Sequence, residues 1–192
     1  IIYTSDHGDM MGDQYMYRKC RPYEGSTRIP MILRWPESLK LNAKRGQVST
    51  QLVELRDILP TFLDAAEIPV PTVMDGRSML DILKGKKWRT TIDLEHAQIY
   101  EPDNAWVALT GRRYKYIYYT LTGKEQLFDL MNDPNELNEL VSSANPPDKL
   151  IREWRNKMIK HLKERGEEWV KDNKLVIQKK PIYTGVNRPE IN

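Results

Sequence analysis

The 192-residue sequence has a single cysteine, Cys20. One thiol excludes an internal disulfide and any zinc site built from several cysteines. There is no apolar run near the ~20 residues that cross a bilayer, so no transmembrane helix and no membrane partner are expected. Charge of one sign is also scarce in excess: 30 Lys and Arg stand against 27 Asp and Glu, a net charge of +3. The basic residues are interleaved with acids, as between Arg152 and Lys174. A nucleic-acid footprint would need a clustered basic stripe, so no nucleic-acid partner is expected. The opening Ile1-Ile2-Tyr3-Thr4-Ser5-Asp6 lacks a basic segment and a small-residue cleavage site. It reads as the start of a β-strand and not as a signal peptide. What is present, 40% hydrophobic and 30% charged residues, fits a folded globular chain of one ordinary domain or two small ones.

Patterning divides the chain in two. In residues 1–87, Ile1–Ser5 and Ile29–Pro36 read as short buried strands, with Val48–Leu55 as a third. The polar stretch between the first two, rich in Met and Tyr, reads as a long functional loop with one helical turn. A helix is expected from Asp57 as N-cap, with Pro60 in its first turn and Ile58, Leu59, Phe62 and Leu63 on its buried face. A shorter helix is expected over Met79–Leu83, and Lys84-Gly85-Lys86-Lys87 marks the boundary. Residues 88–192 change character. Thr91–Leu94 reads as an edge strand of the main sheet. Trp106–Thr110, Tyr114–Tyr119 and Glu125–Asp129 read as antiparallel strands joined by turn-like connections. Tyr114–Tyr119 should alternate between core and surface. Pro147 to about Lys171 is an amphipathic helix with Leu150, Trp154, Met158, Leu162 and Trp169 on one face. The segment from Pro181 reads as an extended tail. The fold class is α/β followed by a small α+β subdomain, an antiparallel sheet with a long helix.

Chemistry concentrates in Thr4-Ser5-Asp6-His7-Gly8-Asp9. A strand ending in Asp-His-Gly places a hard oxygen ligand beside an imidazole where open α/β sheets bind ligands. Gly8 allows a sharp turn and a close approach. The alternative is a turn-capping Asp6 and a surface His7. An EF-hand is excluded, because no acidic ladder follows Asp6. Lys19 and Arg21 then put cations one loop away. They suit an oxyanion whose other oxygens face a metal, or else a solvated basic cluster.

Together these segments resemble the sulfatase family of the alkaline phosphatase superfamily. Asp6, His7 and Gly8 match its Asp-His/Asn-Gly strand end. Lys19, Tyr23, Glu24, Gly25, Arg28 and Pro30 match its Lys-x-x-x-Tyr-Glu-Gly-x-x-Arg-x-Pro segment. Further matches run through Asp57-Ile58-Leu59-Pro60-Thr61, Asp75-Gly76-Arg77-Ser78, Arg113–Ile117, Leu127–Leu130 and Asn132-Asp133-Pro134.

The resemblance implies the C-terminal part of an alkaline phosphatase-like sandwich sheet, with Asp6 and His7 as ligands of a divalent metal, Ca²⁺ or else Mg²⁺ or another ion. Lys19 would contact the sulfate ester, and Glu24 with Arg28 would form a structural pair holding the loop. The family's formylglycine nucleophile is made from Cys or Ser in Cys/Ser-x-Pro-x-Arg. Cys20-Arg21-Pro22-Tyr23-Glu24 has Glu24 where Arg is required, so Cys20 is rejected and the formylglycine is expected upstream. His96 resembles a histidine near the pocket mouth of some arylsulfatases and is either a substrate contact or a structural residue. Tyr100, Asn104 and Trp106 are weaker rim candidates, and His161 should face solvent. The expected activity is hydrolysis of a sulfated small molecule or sulfated carbohydrate, completed by a missing N-terminal part, in a periplasmic, secreted or lysosomal setting. A phosphodiester or phosphonate-ester hydrolase is the near alternative, and a non-catalytic binding module the distant one. The chain alone is expected to be inactive.

Overall fold

The computed structural model describes residues 1–41, 43, 45–97, 101 and 103–181. Strand β1 (Ile2–Thr4) pairs antiparallel with β2 (Met31–Leu33), Tyr3 opposite Ile32. The loop between them holds a 3-10 turn at Asp13–Tyr15 and the one-turn helix α1 (Glu24–Thr27). The expected burial of these strands holds for one face only. Tyr3 and Ile32 share the other face and are 64% and 60% exposed, as a two-strand ribbon must leave one side uncovered unless a further layer packs on it.

Val48–Leu55 is not a strand. The Leu52 carbonyl accepts from Trp88 Nε1 at 2.6 Å, and the chain then enters a 3-10 turn at Leu55–Asp57. A capping box closes that turn: the Glu54 amide donates to Asp57 Oδ2 at 3.0 Å while the Glu54 side chain accepts from the turn. This local cap displaces the extended conformation that the β-branched residues favoured. Helix α2 (Ile58–Ala65) follows from Asp57 as expected, but its orientation is different. Leu59 and Phe62 are 55% and 49% exposed, and Pro60 and Thr61 are buried. Thr61 Oγ1 donates to the Asp57 carbonyl at 2.6 Å and accepts from the Met79 amide at 2.9 Å. The hydroxyl side therefore turns toward α3 (Leu80–Leu83).

The rest of the chain is a four-stranded antiparallel sheet, order β3-β4-β5-β6, made of β3 (Thr91–His96), β4 (Trp106–Gly111), β5 (Tyr114–Tyr119) and β6 (Glu125–Asp129). Strand β3 is an edge strand, but of this small sheet and not of the main one. Helix α4 (Asp148–Leu162) packs on one face. Ile151, Trp154, Met158, Ile159 and Leu162 meet Val107, Leu109, Tyr116, Tyr118 and Leu127 there. The helix ends earlier than expected. It tightens into a 3-10 turn at Lys163–Arg165 and stops at Gly166, whose φ of 94° only glycine adopts without strain. Trp169 still enters the same core, but from the turn before β7 (Val170–Lys171), which pairs with β8 (Lys174–Leu175).

The opposite face of the sheet is covered too. Trp106, Ala108, Ile117 and Phe128 pack against Met10 and Tyr23 of the N-terminal loop. The strands are thus buried on both faces, which corrects the expected core–surface alternation of Tyr114–Tyr119 and explains their nearly continuous apolar sequence. Among the described residues no helix is long and apolar enough to cross a membrane.

Candidate active site

The loop from Ser5 to Arg28 begins with a backbone crossing. The Gly8 amide donates to the Ser26 carbonyl at 2.8 Å. A β-carbon on Gly8 would lie 2.1 Å from the Gly25 carbonyl oxygen, so the crossing requires glycine. Asp9 ties the neck of the loop, its Oδ1 accepting from the amides of Met11 (2.9 Å) and Arg18 (3.1 Å).

His7 Nδ1 lies 2.7 Å from the Gly8 carbonyl. A carbonyl only accepts, so Nδ1 carries the proton and Nε2 keeps the lone pair that a metal would use. Nε2 is 3.6 Å from Asp6 Oδ2, a spacing at which two donors can share one cation at about 2.0–2.5 Å each. The pair fits two positions of a coordination shell. Among the described residues no group of three or more His, Cys, Asp or Glu is placed to hold a metal. The slight burial of Asp6 pushes its carboxyl up. His7, the backbone amides of both residues and the charge of Lys19 outweigh this and hold it below the ordinary carboxylate value.

Lys19 is exposed, and its ammonium makes no ion pair among the described residues. Arg21 is committed elsewhere, in a two-pronged ion pair with Glu101, Nη1 to Oε2 at 2.9 Å. Of the two cations singled out in the sequence, Lys19 is thus the exposed one whose ammonium is not held in an ion pair among the described residues. Arg18 and Cys20, on either side of it, have φ of 71° and 80°, the left-handed region that non-glycine residues seldom occupy.

Cys20 is half-buried. Its carbonyl accepts from Asn104 Nδ2 and Trp106 Nε1, each at 3.1 Å. Asn104 and Trp106, read as rim candidates, are buried supports of the Lys19 segment instead. Tyr100 lies outside the described residues. His96 stacks on Trp106 with ring centroids 5.8 Å apart, and its Nδ1 is 3.0 Å from the Asn104 carbonyl. Its Nε2 is buried without a hydrogen-bond partner among the described residues. His161 is turned partly inward, its Nε2 3.8 Å from Asp93 Oδ2.

Glu24 has a partner that sequence reading missed. Arg28 reaches it only at 3.9 Å and is largely exposed, whereas Lys115 Nζ lies 2.7 Å from Glu24 Oε1 and 2.9 Å from Glu136 Oε1. Lys115 is fully buried. Its ammonium also donates to the Pro22 carbonyl at 3.0 Å, and Glu136 Oε2 accepts from the Glu24 amide at 2.6 Å. Burial pushes the Glu136 carboxyl up despite Lys115 and the Glu24 amide beside it. The one available signal was a lysine flanked by tyrosines in a strand otherwise apolar on both faces.

The later motif matches are structural. Asp57, fully buried, accepts from the amides of Glu54 (3.0 Å) and Arg77 (2.8 Å) and from both terminal nitrogens of Arg89 (2.7 and 2.6 Å). A β-carbon on Gly76 would lie 1.8 Å from the Arg56 carbonyl, so Asp75-Gly76-Arg77 can reach Asp57 only with glycine in the middle.

Comparison with known proteins accounts for this conjunction. Residues 12–167 match the family described as N-sulphoglucosamine sulphohydrolase, C-terminal. The arylsulfatase of Clostridium perfringens is 39% identical over 178 residues, 92% of this chain and 36% of that protein. A solved protein in complex with its substrate D-glucosamine-2-N,6-O-disulfate is 25% identical with a TM-score of 0.73, covering 85% of this chain and 34% of that one. The phosphonate monoester hydrolase of Silicibacter pomeroyi is also 25% identical, with a TM-score of 0.71 over 85% of this chain and 34% of that one. The chain spans about a third of the length of the relatives it matches. With the family matched over most of the chain and the alkaline phosphatase-like fold shared with those structures, the chain belongs to the sulfatases, as a C-terminal part.

Proposed function

We propose that the complete protein hydrolyses sulfate esters, and that this chain supplies one wall of the active site. The observation that carries the reading is the approach of Asp6 Oδ2 and His7 Nε2 to 3.6 Å, with an exposed Lys19 one loop further on. Asp6 and His7 would hold a divalent cation, Ca²⁺ in this reading, which would supply Lewis-acid polarisation of sulfonyl oxygens, and a formylglycine elsewhere in the protein would supply the nucleophile. Asp6 offers a carboxylate already ionised. His7 offers a lone pair in a tautomer fixed by Gly8. Lys19 neutralises charge that builds on the ester oxygens as the S–O bond breaks. His96, stacked on Trp106 behind the Lys19 segment, is assigned to the substrate-binding wall. The substrate class is a sulfated small molecule or carbohydrate, and the setting periplasmic, secreted or lysosomal. Residues 1–87 are assigned to the C-terminal part of the catalytic α/β domain and residues 88–192 to a C-terminal α+β subdomain with an extended tail.

The test is Lys19→Ala in the full-length enzyme assayed on an aryl sulfate. A fall in kcat of roughly 10²–10³ is expected for loss of one charge-stabilising donor. An unchanged rate would remove the role given to Lys19. The phosphonate monoester hydrolase neighbour favours a second reading, phosphonate- or phosphodiester hydrolysis on the same oxygen geometry. Parallel assays on an aryl sulfate and an aryl phosphonate decide between them.

A further inference from the structure

The least economical residue in the small sheet is Lys115. It lies on the same face of β5 as Ile117, opposite Phe128 of β6, in a position that an apolar side chain would fill without desolvating a charge. Burying an ammonium with two carboxylates is rarely better for stability than a well-packed apolar cluster, so the group is better explained by the geometry it imposes. That geometry centres on the loop of Lys19. Lys115 Nζ contacts the Pro22 carbonyl (3.0 Å), Glu24 Oε1 (2.7 Å) and Thr27 Oγ1 (3.4 Å). Through Glu136 it reaches the Glu24 amide, and the Glu136 carbonyl accepts from Gln14 Nε2 at 3.1 Å. The buried charge thus fixes the chain after Lys19 directly, and the backbone of its partner Glu136 holds Gln14 from the chain before it. Between these points, Arg18 and Cys20 hold left-handed backbone, a conformation that persists only when surrounding contacts enforce it.

We propose that Lys115, acting through Glu24 and Glu136, is a positioning residue for Lys19: the small sheet sets the conformation in which the loop presents Lys19 to substrate. The inference rests on the role given to Lys19 above. Lys115 itself never touches substrate.

The experiment is a double-mutant cycle in the full-length enzyme, measuring kcat and KM on an aryl sulfate for Lys19→Ala, Lys115→Met and the pair. Lys115→Met should lower kcat roughly 10–100-fold, the scale of a misplacement near 1 Å, with KM changed far less. In the Lys19→Ala background it should add less than about threefold, because coupled residues are not additive. A purely structural role would lower activity equally in both backgrounds. Multiplicative losses, or a folded Lys115→Met enzyme with wild-type kcat, overturn the inference and leave the sulfatase reading intact. An unchanged Lys19→Ala overturns both. If Lys115→Met does not fold, Glu136→Gln, which keeps the side-chain shape, goes through the same cycle: a sub-additive loss supports the positioning role, and a multiplicative loss or a wild-type kcat overturns it.

Discussion

Gly8 lies against the backbone of Gly25, so closely that a β-carbon on Gly8 would sit 2.1 Å from the Gly25 carbonyl oxygen. The obstacle is backbone, and that backbone is held by the Gly8–Ser26 hydrogen bond, so no side-chain rotation relieves the clash. Gly8→Ala should therefore destabilise the protein by about 3 kcal/mol, the upper range for overpacking, and should also separate Asp6 and His7 from the Lys19 loop. Urea unfolding checks the first effect. A midpoint equal to that of the parent would show that the crossing is not as tight as described.

Asp57 presents a different dependence. Removing its carboxylate leaves Arg89, whose side chain is 13% exposed, with Glu54 as its one remaining acidic partner among the described residues, and leaves the Arg77 and Glu54 amides without their acceptor. Breaking a buried pair from one side costs about 3–5 kcal/mol. Asp57→Ala should lower the thermal midpoint far more than Arg45→Ala, whose salt bridge with Glu37 is largely exposed. Similar shifts for the two variants would contradict the hub.

The contrast between these residues and Lys115 shows what the sequence could disclose. Asp6, His7 and Lys19 were legible because short spacing joins them: a strand end, a glycine and one loop return. The hairpins β4–β6 were legible through their β-branched and aromatic runs and turn residues. Glu24 was paired with Arg28 because the sulfatase resemblance places both in one motif. Its stronger partner is Lys115, far along the chain on β5, and only the packing of the loop against the sheet brings them together. The exposed face of α2 was misread for a related reason. Leu59 and Phe62 form a plausible apolar stripe, and only the Thr61 hydrogen bonds reveal which side turns inward. Trp169 fell at helical spacing, yet Gly166 had already ended the helix.

Glu139 should give the protein an acid-sensitive element. Its Oε1 accepts from the amides of Leu127 (3.0 Å) and Val141 (2.6 Å), and its Oε2 from the Ser142 amide (2.9 Å). Partial burial pushes its carboxyl up. The Ser142 hydroxyl and these amides outweigh that and hold it below the ordinary value of 4.5. A depressed carboxyl pKa contributes stability that is fully present above the unfolded value and is lost as pH falls through the folded one. Glu139→Gln should cost about 1 kcal/mol at pH 7, allowing for solvent screening. The gap between parent and variant should narrow below pH 4.5 and close once the folded carboxyl is protonated. Thermal unfolding at several pH values reads it directly, and a gap that persists at low pH would contradict the assignment.

The last prediction concerns this chain alone. In the proposed site Asp6 and His7 would contribute two donor atoms, whereas a Ca²⁺ shell takes about six to eight, and Lys19 would neutralise charge but its ammonium cannot attack sulfur. Cys20 is not expected to serve as the nucleophile either: the formylglycine motif needs Arg where Glu24 stands, and Glu24 is occupied by Lys115. The pure 192-residue chain should therefore show no turnover of an aryl sulfate, with or without added Ca²⁺ or Mg²⁺. Metal-dependent turnover by the chain alone, abolished by Lys19→Ala, would mean that a nucleophile lies within it and that the one-wall reading is wrong. Turnover insensitive to Lys19→Ala and to chelator would point to a contaminating enzyme, which repurification of the same variant identifies.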